Sequence, residues 1–141
     1  MMGKKKVLFI CEGNVLRSQA AKLYFNRFSK AYEAISTGID TYRYGGRKIS
    51  EFAPGLVEKM KRDYGLDFSA CVPTHITPEI AEQAHWIVSF VKEHRLPDYV
   101  LDRDVRYWDV EDPRGRPEKV YDKVIGEIRA KVSDLVKELD V

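Results

Sequence analysis

The chain has 141 residues, with 24 Lys and Arg against 22 Asp and Glu, a net charge of +2; this length suits one domain able to bury about two thirds of its unfolded surface. It is 44% hydrophobic and 33% charged, the composition of a soluble globular protein with a densely charged exterior, and so small a net charge gives no reason to expect a nucleic-acid or membrane partner. Its two cysteines, Cys11 and Cys71, exclude a disulfide framework and a Cys-x-x-Cys metal pair, and His75, His85 and His94 lack metal-site spacing.

Lys4-Lys5-Lys6 reads as a solvated lead-in to the first strand, Lys6 to Ile10. The apolar run Val7 to Ile10 is far shorter than the ~7–15 residues of a secretory core. No stretch approaches the ~20 residues of a membrane span. The expected compartment is the reducing cytoplasm, where an unpaired thiol persists. An unbroken apolar run, rather than an alternating one, predicts a strand covered on both faces. Ser18 to Phe28 predicts a helix capped by Ser18, with Ala21, Leu23, Tyr24, Phe25 and Phe28 on its apolar face. Tyr32 to Thr37 predicts a second strand ended by Gly38, and Asp40 to Ser50 a loop.

A further helix is expected from about Phe52 to Tyr64, stopped by Gly65. Thr77, Pro78 and Glu79 form a helix-start signal: cap, first-turn proline and an acid beside the positive end. His85 to Val91 predicts the third strand and Asp104 to Trp108 a short fourth. The last helix begins near Pro117, and Val120, Val124, Ile128, Val132, Leu135 and Leu139 give it one apolar face. Strands alternating with helices predict an α/β fold, a parallel sheet with helices on both faces. Ligands of such sheets lie beyond the carboxyl ends of the strands. Cys11 stands at such an end.

The segment "CEGNVLRS", Cys11 to Ser18, joins that strand end to a helix start. Unpaired amides and the helix dipole make such a turn an anion cradle. Gly13 and Asn14 tolerate the positive φ that a cradle needs. Arg17 can grip two oxygens of a phosphoryl group with its planar fork. In the same field a thiol whose ordinary pKa is about 8.5 becomes a thiolate at neutral pH. Cys11 is therefore the candidate nucleophile, with the Ser18 hydroxyl placed to stabilise its sulfur. Downstream, "WDVEDPRG" carries Asp109, Glu111 and Asp112. Asp112 precedes a proline, which holds it extended, and it can serve as general acid and then base over the same sheet edge.

Together "CEGNVLRS", "ISTG" after the second strand and "WDVEDPRG" before the last helix resemble the low-molecular-weight protein tyrosine phosphatases, whose fold also serves the thioredoxin-coupled arsenate reductases. The resemblance spans nearly the whole chain and implies a single such domain over residues 1–141. It implies three layers around a twisted four-stranded parallel sheet, a phosphate loop between the first strand and helix, and no metal or organic cofactor. By it, Cys11 becomes phosphocysteine, Arg17 clamps the transition state and Asp112 is the acid. The oxyanion would lie against Glu12, Gly13, Asn14, Val15, Leu16 and Ser18, with Asn14 and Ser36 bonded to hold the loop and Tyr42 walling the substrate ring. The implied partner is a phosphotyrosyl protein or a small aryl phosphate, with inorganic phosphate or another oxyanion fitting the loop.

Some residues depart from that pattern. Glu12 sits where the family is usually neutral, and it is expected to point outward, toward Arg43, Arg47 or Arg114. Leu16 replaces a second loop cysteine, and Arg114 replaces an aromatic residue after Asp-Pro. "RSQAA" and the Trp before the Asp-Pro loop lean toward the arsenate reductases, but "IVSFVKEHRLPDY" lacks the relay cysteines of that branch. Cys71 reads as a packing residue. Arsenate reduction here would need an external thiol partner, so the phosphatase is the favoured expectation. A non-catalytic anion binder would need neither a thiolate nor an acid.

Overall fold

A computed structural model describes residues 3–141, and at its centre Val7, Leu8, Phe9 and Ile10 are completely buried. They belong to β1 (Lys5–Cys11), an interior strand hydrogen-bonded in parallel to β2 (Tyr32–Gly38) on one side and β3 (Ala84–Ser89) on the other. β4 (Val105–Tyr107) extends the sheet beyond β3, giving four parallel strands in the order β2-β1-β3-β4. The side-chain period of two divides β1 between two apolar layers. Val7, Phe9 and Cys11 face α1 (Arg17–Phe28) and α6 (Glu118–Leu139), where Ala21, Phe25, Ile125, Ile128 and Val132 pack. Leu8 and Ile10 face the opposite layer, where Ala81 of α4 (Pro78–Gln83) and Val100 of α5 (Asp98–Leu101) close it. Phe9 anchors the first layer, edge-on to Phe25 at 6.0 Å and tilted against Trp108 at 5.8 Å.

The chain leaves β1 toward β2 and then crosses to β3 on the other side, so the direction of winding reverses at β1. That reversal opens a crevice at the carboxyl ends of β1 and β3. Cys11 ends β1 there. β2 ends at Gly38, opposite Cys11, and a Cβ on Gly38 would lie 2.7 Å from the Glu12 carbonyl oxygen and 2.9 Å from the Asn14 nitrogen. Only glycine lets the second strand lie this close to the loop after the first.

Local signals shaped several elements. Thr77 caps α4, its hydroxyl accepting from the Ile80 amide at 3.2 Å, and Gly65 stops α3 (Pro54–Tyr64) in the left-handed conformation, φ 67°. The helix expected over Phe52 to Tyr64 is divided into α2 (Ile49–Phe52) and α3. Ala53, at φ −141° and ψ 58°, is driven out of the helical region by the proline that follows it. The third strand stops at Ser89 rather than Val91; beyond it come a 3-10 turn, Glu93–Arg95, and α5. Ser18 does not cap α1: the helix begins at Arg17, the capping position is Leu16 and no side chain caps it. The Ser18 hydroxyl is committed to Cys11 and Asn14 instead. Among the described residues no helix is long and apolar enough to cross a membrane.

Candidate active site

Between β1 and α1 the chain folds around the Cys11 sulfur. The Asn14 amide donates to Sγ at 3.2 Å, and Ser18 Oγ lies 2.9 Å from it. Asn14 Nδ2 donates to Ser18 Oγ at 2.7 Å, so the hydroxyl proton is left to point at the sulfur. Cys11 itself is 3% exposed. Of the residues expected to use positive φ here, Asn14 does, at 57°, and it is the only non-glycine among the described residues to do so; Gly13 does not.

The turn is braced from the side away from the sulfur. Asn14 Oδ1 accepts from the Thr74 amide at 2.8 Å and from Gln19 Nε2 at 3.2 Å, and Gln19 Nε2 also donates to the Asn14 carbonyl at 3.0 Å. The carbonyls of Cys11 and Glu12 accept from the amides of Ile39 and Asp40. With these carbonyls engaged, the turn has the form of strand-to-helix turns that offer backbone amides to an anion. Ser36 is not part of this brace. The strand register sets it opposite Phe9, two residues before Cys11, and the Asn14 side chain bonds Ser18, Gln19 and the Thr74 amide instead. Thr74 and Gln19 hold Asn14 in its place.

Arg17 opens α1, and its guanidinium crosses the ends of β3 and β4. Nη1 donates to the Val110 carbonyl at 2.9 Å, with the Phe90 carbonyl at 3.5 Å and the guanidinium 5.9 Å from the centre of the Phe90 ring. Of the three acids in the following loop, Asp109 meets the Tyr107 hydroxyl at 3.3 Å, and Glu111 meets Arg116 at 3.2 Å. Asp112 alone borders the cavity over Cys11, together with Gly13, Val15, Leu16, Arg17 and Arg114. Burial pushes its carboxyl up, but the hydrogen bonds and charge of Arg114, with Arg17 behind, outweigh that and hold it below its ordinary value.

A wider cleft of about 200 Å³ adjoins this cavity, sharing Gly13, Val15 and Arg114 with it, and Tyr42 lines its mouth at 87% exposure. Tyr44 also borders the cleft, its ring stacked on Phe52 at 4.2 Å. Glu12 points outward as expected, but to a different partner: its carboxylate pairs with Arg95 at 2.7 Å. Arg47 pairs with Glu51, and Arg114 with Asp112. Cys71 packs in the same apolar layer as Phe68 and Met60; burial pushes its thiol up against the pull of Lys22, whose Nζ is 3.8 Å away. Among the described residues no cluster of three or more His, Cys, Asp or Glu could hold a metal ion.

Gln19, Thr74, Val110 and Arg95 were not singled out from sequence. Only Gln19 carried a signal, a polar residue on the buried side of an amphipathic helix start.

The fold and the thiol at its strand-to-helix turn define a class of α/β proteins in which that turn is an oxyanion cradle. The family model described as low molecular weight phosphotyrosine protein phosphatase matches residues 6–141, and the chain belongs to that family. An arsenate reductase of Staphylococcus aureus (strain Newman) is 26% identical over 136 residues, 94% of this chain and 97% of that protein. The crystal structure of a low molecular weight protein tyrosine phosphatase from T. tengcongensis is 29% identical with a TM-score of 0.76, covering 96% of this chain and all of that one (100%). Vibrio vulnificus Wzb in complex with benzylphosphonate shares the fold at 19% identity and a TM-score of 0.80, over 97% of this chain and 100% of that one.

Proposed function

We propose that the chain is a cysteine-dependent phosphatase that hydrolyses phosphotyrosine or other aryl phosphate monoesters through a phosphocysteine intermediate. The observation carrying this reading is that Cys11, Arg17 and Asp112, brought from a strand end, a helix start and a distant loop, border one cavity. The Cys11 thiolate attacks phosphorus in line with the leaving group, and the Sγ–P bond forms as the P–O bond to the aryl oxygen breaks. Asp112 delivers a proton to that oxygen. Arg17 exchanges the Val110 carbonyl for two equatorial phosphoryl oxygens, and the loop amides take the remaining charge. Asp112, now a carboxylate, removes a proton from water, which attacks phosphorus. The Sγ–P bond breaks, and the thiolate leaves toward the Ser18 hydroxyl and the Asn14 amide. The family name and the benzylphosphonate held by Wzb support an oxyanion in this loop. A thiol nucleophile also suits the reducing cytoplasm.

The name of the Staphylococcus aureus relative favours a second reading, arsenate reduction. Cys71 is the one further thiol in the chain and it is packed in the core, so the electrons would come from an external thiol partner. The test is turnover of p-nitrophenyl phosphate without added metal, set beside arsenate consumption coupled to thioredoxin or glutathione. The expected result is chelator-insensitive, vanadate-inhibited hydrolysis exceeding any arsenate reduction. Thiol-coupled arsenate consumption with no such hydrolysis reverses the assignment.

A further inference from the structure

We infer that Arg114 is a positioning residue for the acid step: it latches the Asp112 carboxylate over the thiol cavity and exchanges it for the entering phosphoryl group. The inference rests on the phosphatase reading above and adds to it a cause for the release of the acid.

The latch is built from several contacts on one carboxylate. Arg114 Nη2 donates to Oδ2 at 2.9 Å, and Nε lies 3.2 Å from Oδ2 and 3.3 Å from Oδ1. The Arg114 backbone amide adds a bond to Oδ1 at 3.1 Å. The turn that follows has Gly115 at φ 76° and the Arg116 amide bonded to the Pro113 carbonyl, so the guanidinium folds back onto its own acid. The same group lies on the cradle: Nη2 is 3.9 Å from the position that a Cβ on Gly13 would take. With the pair in place the cavity above Cys11 measures about 10 Å³. That is room for about one water. A phosphoryl group cannot enter until the pair moves. Its two negative charges then compete for Arg114 against the single charge of Asp112.

The charged and titratable groups around Asp112 are Arg114 on its own turn, Arg17 from α1 and Cys11 from the end of β1; Tyr121 of α6 faces Arg114. The acid must be protonated for the first step, so kcat/KM falls as pH rises past its titration in the free protein. Arg114 opposes the effect of burial on Asp112. Without its guanidinium, burial faces only Arg17 and the backbone amide of residue 114, and both the titration and the alkaline limb move to higher pH.

The experiment follows the Asp112 carboxyl carbon by NMR through a pH titration, with and without vanadate, in the wild type, Arg114→Gln and Arg114→Lys. Alongside it, kcat/KM is measured against pH for an aryl phosphate. A contacting opposite charge is worth about 1–3 pH units, so the Asp112 midpoint and the alkaline limb should rise together by about one unit or more in Arg114→Gln. The rise should be smaller in Arg114→Lys, which keeps the charge but not the fork. Vanadate should raise the midpoint more in the wild type than in Arg114→Gln, because only the wild type has a latch to release. An unmoved midpoint in Arg114→Gln, or equal vanadate shifts in the two proteins, overturns the inference. The titration needs no turnover, so an inactive wild type would sink the phosphatase reading while the latch is still decided.

Discussion

Cys11→Ser should lower turnover of an aryl phosphate by roughly 10⁴-fold or more while phosphate binding stays within a few-fold of the wild type. Serine keeps the size and most of the polar contacts of the thiol, so the loop amides and Arg17 remain placed for an anion. What it removes is the nucleophile: a hydroxyl is not ionised at neutral pH, and no base is in hydrogen-bond contact at this position, which meets the Asn14 amide and Ser18 Oγ. Steady-state kinetics and calorimetric titration with phosphate separate the two effects. Loss of both activity and binding would mean that the sulfur holds the loop together rather than reacting. Activity within tenfold of the wild type would place the nucleophile elsewhere.

The second large effect belongs to the acid. Asp112→Asn should slow poor leaving groups such as phenyl phosphate by about 10²–10⁴-fold, and p-nitrophenyl phosphate much less, because the better leaving group departs without a proton. The alkaline fall in kcat/KM should disappear from the variant, since it comes from deprotonation of that carboxyl, which Arg114 holds below its ordinary value against the effect of burial. Equal slowing of both substrates would move the acid to Asp109, which meets the Tyr107 hydroxyl.

The parts of the fold that could be read in advance are those held by local chemistry or long periodicity. An apolar run with no polar interruption predicts the interior strand β1, and α6 repeats its apolar face over 22 residues. Thr77 and Gly65 mark helix ends through their own hydrogen-bond and backbone preferences. The break at Ala53 had a signal too, since Pro54 restricts the residue before it. α5, at four residues, is too short for a period to show, and Leu96 and Val100 are held by tertiary packing in the second apolar layer.

Within the site the same division holds. Cys11 and Arg17 lie close in sequence and are placed by one strand end and one helix start, so their proximity follows from local structure. Partners brought from afar did not follow from it. Asn14 is held by the Thr74 amide, 60 positions away, rather than by Ser36, and Glu12 takes Arg95 from the unforeseen 3-10 turn. The Asp112–Arg114 contact was local and readable in principle. In "DPRG" the arginine stands out from sequence as a replacement for an aromatic residue and a candidate partner of Glu12, whereas the turn at Gly115 folds it onto the neighbouring acid.

The chemistry proposed for this site turns on Cys11 carrying the phosphoryl group. The most direct test mixes the protein rapidly with p-nitrophenyl phosphate, quenches in alkaline denaturant, where an S–P bond persists, and reads the peptide containing Cys11 by mass spectrometry. A single added phosphoryl group is expected on the Cys11 sulfur, formed in the initial burst, lost on longer incubation once substrate is exhausted, and absent from Cys11→Ser. Hydrolysis that proceeds with Cys11 unmodified at every quench time, or a phosphoryl group found on another residue, would contradict it.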